Sequence, residues 1–390
     1  MRNPLSDKIV NIPPSGIRKF FDIVSEMKDA ISLGVGEPDF ETPWHIREEG
    51  IYSLEKGRTF YTSNAGLKPL KVEICEYLKR RCGVVYDPDR EVLVSVGGSE
   101  AIDLAMRAMI NDGDEVLVPQ PSYVSYMPCV TLADGVPVVI QLEEKDQFRL
   151  TPEKLLEKIT DKTKILVLPF PNNPTGAIME REDLEKIVEI VLEKDLFVVS
   201  DEIYSELTYG DEPHVTIASF PGMKERTVLI NGFSKAYAMT GWRLGYAAAP
   251  AAILEQMLKI HQYAIMCAPT TSQYAAVSAL KNGDPDVAMM RESYNQRRRF
   301  LLHAFAEMGI ECFEPKGAFY TFPNIKRFGM TSEEFATRLL QEEKVAVVPG
   351  TAFGGCGEGF VRISYAYSLK NLKEALSRIE RFINRLDGKA

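Results

Sequence analysis

Histidine and tryptophan are scarce, at four and two in 390 residues. The six cysteines, Cys75, Cys82, Cys129, Cys267, Cys312 and Cys356, are scattered and none forms a C-x-x-C pair. Neither a structural zinc centre nor a disulfide framework is expected from that pattern. No apolar run is long enough to span a bilayer, and the N-terminus lacks the apolar core of a secretion signal. A cytoplasmic protein with no membrane partner is therefore expected. The net charge of −9 argues against a nucleic-acid partner. No glycine loop is followed by Lys-Ser or Lys-Thr, and none of the glycine clusters makes G-x-G-x-x-G. That excludes a P-loop and removes the phosphate signature of a nicotinamide dehydrogenase. Internal repeats and low-complexity segments are also missing.

What is present is an alternation of short apolar runs with amphipathic ones. The length predicts two domains. Residues 91–96, 115–119, 137–142, 164–170, 196–200, 226–231 and 244–249 are apolar and rich in valine, isoleucine and leucine, as strands covered on both faces should be. Segments such as 99–111 and 181–194 predict helices between them. The alternation implies an α/β fold with a mostly parallel sheet, whose ligand-binding groups gather on loops at the carboxyl ends of strands. Before it, an arm with Pro13-Pro14 leads into a helix predicted over 16–28, with Ile17, Phe20, Phe21 and Val24 on one side. After it, the pattern predicts a long charged helix over 286–308, short strands near 318–323 and 345–348, and a last helix with Leu372, Leu376, Ile379, Ile383 and Leu386 on one face. The expected division is an arm and part of a small domain in 1–45, a large domain in 46–284, and the rest of the small domain in 285–390. The basic runs Lys79-Arg80-Arg81 and Arg297-Arg298-Arg299 read as solvated helix faces.

Six stretches carry chemistry. In Asn231-Gly232-Phe233-Ser234-Lys235, Lys235 is an amine able to form a Schiff base with an aldehyde, and Ser234 and Arg243 can hold a phosphate. Pyridoxal 5′-phosphate carries both groups; a solvated loop lysine is the plain alternative. Gly98, Ser99 and Glu100 open a helix after a strand, where free amides suit a phosphate, as they suit an ordinary tight turn. Asp201 and Tyr204, after the 196–200 strand, suit a protonated pyridine nitrogen and a ring phenolate, and equally a helix cap. Asn173, in Pro171-Asn172-Asn173-Pro174, can bridge the phenolate and a substrate carboxylate. Tyr123 offers a face for a pyridine ring or for core packing. Arg362, in an apolar strand, needs a partner: a substrate carboxylate or a structural salt bridge.

Together, and in this order along the chain, these motifs resemble the fold-type I PLP-dependent aminotransferases of class I/II, in the branch of bacterial and archaeal aspartate, aromatic and aminotransferase A-like enzymes. The resemblance runs from Gly34-Val35-Gly36-Glu37-Pro38-Asp39-Phe40 to Val361-Arg362-Ile363-Ser364-Tyr365. It implies a large domain with a mostly parallel seven-stranded sheet and a smaller α+β domain. It further implies Lys235 as Schiff-base lysine, Asp201 at the ring nitrogen, and Tyr204 and Asn173 at the phenolate. Tyr123 would stack on the ring, while Gly98, Ser99, Ser234 and Arg243 would hold the phosphate. Arg362, helped by Asn173 and the Gly36 amide, would take the substrate carboxylate. Tyr61 matches a tyrosine that reaches the phosphate of the other subunit, which implies a homodimer. The chain departs from the pattern in two places. Many relatives have serine where this chain has Gly232, and some aspartate-specific members have lysine where it has Ser99.

The implied activity is ping-pong transamination from a broad range of amino acids, aspartate and aromatic, to 2-oxoglutarate. Aromatic residues near the entrance, such as Phe20, Tyr263 and Phe319, suggest room for apolar or aromatic donors, and suit the core equally. The alternatives are a cystathionine β-lyase using the same residues, an N-acetyl-diaminopimelate-type specificity, and a PLP-binding regulator with a fused DNA-binding segment, for which the roughly 30 residues before the Gly34 loop are expected to leave no room.

Overall fold

The computed structural model describes residues 2–14, 16, 27, 29–210 and 212–389. The helix expected over 16–28, with Phe20, falls outside the described residues except for Gly16 and Met27. Among the described residues twelve strands follow in chain order: β1 (Ile31–Ser32), β2 (Val92–Ser95), β3 (Glu115–Gln120), β4 (Val136–Gln141), β5 (Thr163–Leu168), β6 (Phe197–Asp201), β7 (Thr227–Gly232), β8 (Gly245–Ala248), β9 (Tyr320–Thr321), β10 (Val345–Ala346), β11 (Val348–Pro349) and β12 (Val361–Ser364).

All seven predicted strands form, and they build one seven-stranded sheet in the order β2-β8-β7-β6-β5-β3-β4. Every pair in it is parallel except those of β8, which runs antiparallel to β2 and β7. The strands read as unbroken apolar runs because both faces are covered. Along β3, Val116 and Val118 pack into one buried layer while Leu117 faces the opposite one, the period-2 alternation of a strand. The helix Gly98–Met109 covers the first layer with Ala101, Ile102 and Ala105. The helix Arg181–Glu193 covers the second with Leu184, Ile187 and Val191. It starts where Glu180 and Asp183 cap each other reciprocally, and it stops before Asp195, whose φ is +52°.

A second layer holds the antiparallel sheet β11-β12-β9 and the parallel pair β1-β10. The last helix, Leu369–Leu386, packs Leu372, Leu376, Ile379 and Ile383 into that core, each such side chain contributing about 1.5–3 kcal/mol. The long helix Asp284–Glu307 supplies Tyr294, Leu301 and Phe305 to it. Here the reading of Arg297-Arg298-Arg299 as a solvated face needs correction, because Arg297 and Arg298 are buried. A Nη1 of Arg297 donates to Asp39 at 2.7 Å, and one of Arg298 donates to Glu314 at 2.7 Å. Side-chain partners placed far away in sequence offset their desolvation. The Arg297 pair also ties the Gly34–Phe40 loop to this helix.

Candidate active site

The carboxyl ends of β3, β5, β6 and β7 deliver their following residues to one side of the sheet. There a cavity of about 550 Å³ is lined by Gly36, Gly98, Ser99, Tyr123, Asn173, Asp201, Tyr204, Ser234, Lys235, Arg243 and Arg362, eleven residues singled out from sequence. Two others stay out of its lining. The Glu100 carboxylate turns back, accepting from the Val96 amide at 2.5 Å and pairing with the buried His261 at 2.7 Å. Tyr61 is 79% exposed on this chain.

Lys235 follows β7 by three residues and is buried, with its Nζ donating to the Gly36 carbonyl at 2.5 Å. Burial lowers its pKa to about 8, Arg362 and Arg243 push the same way, and Glu37 and Asp201 oppose them. An amine so placed is uncharged for an appreciable fraction of molecules at neutral pH. Asp201 ends β6. Burial raises its pKa, while the Tyr126 hydroxyl at 2.7 Å and the Ile203 amide at 3.2 Å favour the charged form.

Arg362 is only 2% exposed in β12. Its Nη1 donates to Asn173 Oδ1 at 2.8 Å and its Nη2 to the Gly34 carbonyl, while its Nε has no partner. Among the described residues no carboxylate pairs with it, so the salt-bridge alternative fails. A buried guanidinium with spare donors facing a cavity is a receptor for a carboxylate from outside.

At the edge of the same cavity the helix Gly98–Met109 begins with no side-chain cap, leaving first-turn amides for an anion. Gly97 precedes it at φ +80°, and a Cβ there would lie 2.7 Å from Arg243 Nη2. Arg243 itself takes φ +51° and donates to the Thr240 carbonyl at 3.0 Å. Glycine and arginine thus share one narrow space beside the helix start.

A model of the aminotransferase class I and II family matches residues 28–379. The chain belongs to that family. It is 48% identical to the aspartate aminotransferase of Pyrococcus abyssi over 97% of this chain and 98% of the relative. It is 44% identical to aromatic-amino-acid aminotransferase 2 of Thermococcus litoralis over 97% and 98%. The solved aromatic aminotransferase from Pyrococcus horikoshii matches at a TM-score of 0.91 and 47% identity, over 94% of this chain and 99% of that one. The protein is thus an aminotransferase of fold type I.

Aminotransferases of this family use pyridoxal 5′-phosphate, and the donor set here fits that group. A buried amine whose pKa is lowered to about 8 suits its aldehyde, and a buried, hydrogen-bonded carboxylate suits its ring nitrogen. An uncapped helix start beside an arginine suits its phosphate. The sequence missed Tyr126 and Tyr320, both lining the cavity. Tyr126 lies three residues past Tyr123, at the start of the helix Tyr126–Leu132. Tyr320 carried no local signal beyond its strand. Of the aromatics expected at the entrance or in the core, Phe319 belongs to the core, wholly buried against Tyr204, Tyr294 and Tyr320, whereas Tyr263 is in neither place, being 88% exposed and outside the lining.

Proposed function

We propose that this aminotransferase moves the amino group of aspartate and aromatic L-amino acids to 2-oxoglutarate, in two half-reactions of a ping-pong cycle. The observation that carries the reading is the buried Lys235 amine sharing one cavity with the Asp201 carboxylate and the carboxylate-free Arg362. In this reading Lys235 holds the cofactor covalently, and Asp201, oriented by Tyr126, holds the ring nitrogen. Tyr204 and Asn173 donate to the ring oxygen, and Tyr123 stacks on the ring. The amides of Gly98, Ser99 and Glu100 hold the phosphate with Ser234 and Arg243, joined by Tyr61 from a second copy. When bound, the cofactor supplies an electron sink for the pair left behind when the substrate Cα–H breaks. Arg362 and Asn173 grip the α-carboxylate so that this bond, rather than the bond to the carboxylate, faces the ring. Lys235, displaced by the substrate amine, takes the Cα proton as base and gives it back as acid. The division into 1–45, 46–284 and 285–390 belongs to the same proposal.

Breadth of donor is supported by the cations that line the cavity in one chain: Lys235, Arg243 and Arg362. All three have roles above, so none is left for a side-chain carboxylate, and Ser99 offers only a hydroxyl. The relatives are named for both donor classes. The test is to mix cofactor-loaded protein with single amino acids, without a keto acid, and follow the visible absorbance. Conversion with phenylalanine or tyrosine as well as aspartate is expected. Conversion with aspartate and glutamate alone would make the donor range strict, and pyruvate from cystathionine without conversion would mean a lyase.

A further inference from the structure

Tyr320 stands among the cavity residues with no part in the chemistry so far. It is buried in β9, and its Oη lies 2.8 Å from the Tyr204 Oη. Its ring carries the Arg362 guanidinium, 4.5 Å from the ring centroid. The backbone fixes this arrangement. Tyr320 pairs with Ser364 across β9 and β12, and Arg362 lies two residues along β12, hence on the same face. Gly36 closes the other side, since a Cβ there would sit 2.5 Å from the Tyr320 oxygen.

The direction of the hydrogen bond follows from proton counting. Tyr204 has one proton, and the proposed chemistry sends it to the cofactor's ring oxygen. Tyr320 also has one, and among the described residues its hydroxyl has a single hydrogen-bond partner, Tyr204. The Tyr204 oxygen then accepts from Tyr320, forming the chain Tyr320 to Tyr204 to ring oxygen, in which each bond polarises the next. We infer that Tyr320 is a positioning residue: its hydroxyl makes Tyr204 a stronger, one-way donor to the cofactor, and its ring holds Arg362 at the height of the substrate carboxylate. One residue thereby couples the electronics of the cofactor to carboxylate binding. The inference rests on the role given to Tyr204 above.

Removing the Tyr320 hydroxyl leaves the ring oxygen less well satisfied and more basic. The protonated form of the lysine–cofactor linkage should then persist to higher pH. The test compares Tyr204→Phe, Tyr320→Phe and the double variant, all cofactor-loaded, by the pH midpoint of the visible band. Tyr320→Phe keeps the ring, so packing and the KM for amino acids should hold while kcat falls. Its midpoint should rise by ~0.5 unit, part of one hydrogen bond's worth, and the change should vanish when Tyr204 is already phenylalanine. If Tyr204→Phe shifts the midpoint and Tyr320→Phe does not, the relay is wrong and the Tyr204 assignment stands. An equal shift from Tyr320→Phe in both backgrounds also rejects the relay, because Tyr320 would then act without Tyr204. If Tyr204→Phe itself shifts nothing, the Tyr204 assignment fails and the relay falls with it.

Discussion

At the scale of single residues, Lys235 decides most. Its amine, with a pKa near 8, is ready to bond an aldehyde, whereas an ordinary lysine at 10.5 is almost wholly protonated at pH 7. Capture of the cofactor by cofactor-free protein should therefore speed up with pH and level off just above 8, which stopped-flow absorbance can follow. Lys235→Ala should abolish both turnover and the visible band; retention of both would refute its assignment. The same burial has a cost in stability. A lysine whose folded pKa is depressed binds fewer protons in the folded chain than in the unfolded one, so the penalty is full below pH 8 and fades as pH rises towards 10.5. Lys235→Met should raise the melting temperature of cofactor-free protein at pH 7, by the equivalent of about 3 kcal/mol, and by little near pH 10.5. Arg362→Ala should raise KM for every α-amino acid alike; an effect confined to dicarboxylic donors would mean it grips the side chain instead. Lys235, Asp201 and Arg362 were legible because each is a chemically demanding residue at the end of, or within, an apolar run. Tyr126 and Tyr320 were not, since their roles exist only through contacts with Asp201, Tyr204 and Arg362 that the chain makes by folding. Glu100 was legible as part of a helix start, but its side chain answers to His261, 161 residues away.

At the scale of elements, β2 to β8 could be read to within a residue or two because strands covered on both faces must be apolar throughout. The antiparallel direction of β8 could not, since burial alone does not encode direction. The two-residue strands β9, β10 and β11 fall in or against the short strands expected near 318–323 and 345–348, whereas β1, also two residues, is too short to show a period. Arg297 and Arg298 misled because a buried guanidinium and a solvated one look alike until the acid that pairs with it is known. The reversal of β8 matters to the site. It puts Gly245 opposite Ser95 at the end of β2, where a Cβ would lie 2.6 Å from the Gly97 carbonyl carbon and the Gly98 nitrogen. Both are backbone atoms of the turn that opens the proposed phosphate site, so Gly245→Ala must push that turn. Overpacking of this kind costs ~1–3 kcal/mol, which corresponds to ~5–150-fold weaker cofactor binding if it falls on the site. A cofactor titration by absorbance, alongside a melting curve without cofactor, separates damage to the turn from damage to the sheet. A melting point lowered with cofactor affinity intact would mean that the sheet, not the turn, gives way.

At the scale of the whole molecule, Tyr61 is the expected site residue that this chain's own fold carries out to its surface. Tyr61 and its neighbour Phe60 are 79% and 81% exposed. Their segment is fastened to the chain, with Asn64 donating to the Met266 carbonyl at 2.8 Å and Thr270 to the Phe60 carbonyl at 2.8 Å. Ile265 and Met266 are also exposed beside it. Two large rings held out on an anchored loop, next to further apolar surface, make an exposed apolar patch of the kind that marks an interaction site. A second copy of the chain is the proposed cover, with Tyr61 reaching the phosphate site of its partner. A two-fold dimer makes this testable by complementation, because each site would take Lys235 from one chain and Tyr61 from the other. A hybrid of Tyr61→Ala and Lys235→Ala chains has one site with both defects and one with neither. Random mixing of equal amounts makes half the dimers hybrids, each with one sound site of two, so activity should recover to about a quarter of the parent's. The mixture must be unfolded and refolded together, or coexpressed with two tags, to exchange chains. Activity no greater than the mean of the two separate variants would place Tyr61 and Lys235 in the same chain's site, or remove Tyr61 from the site altogether.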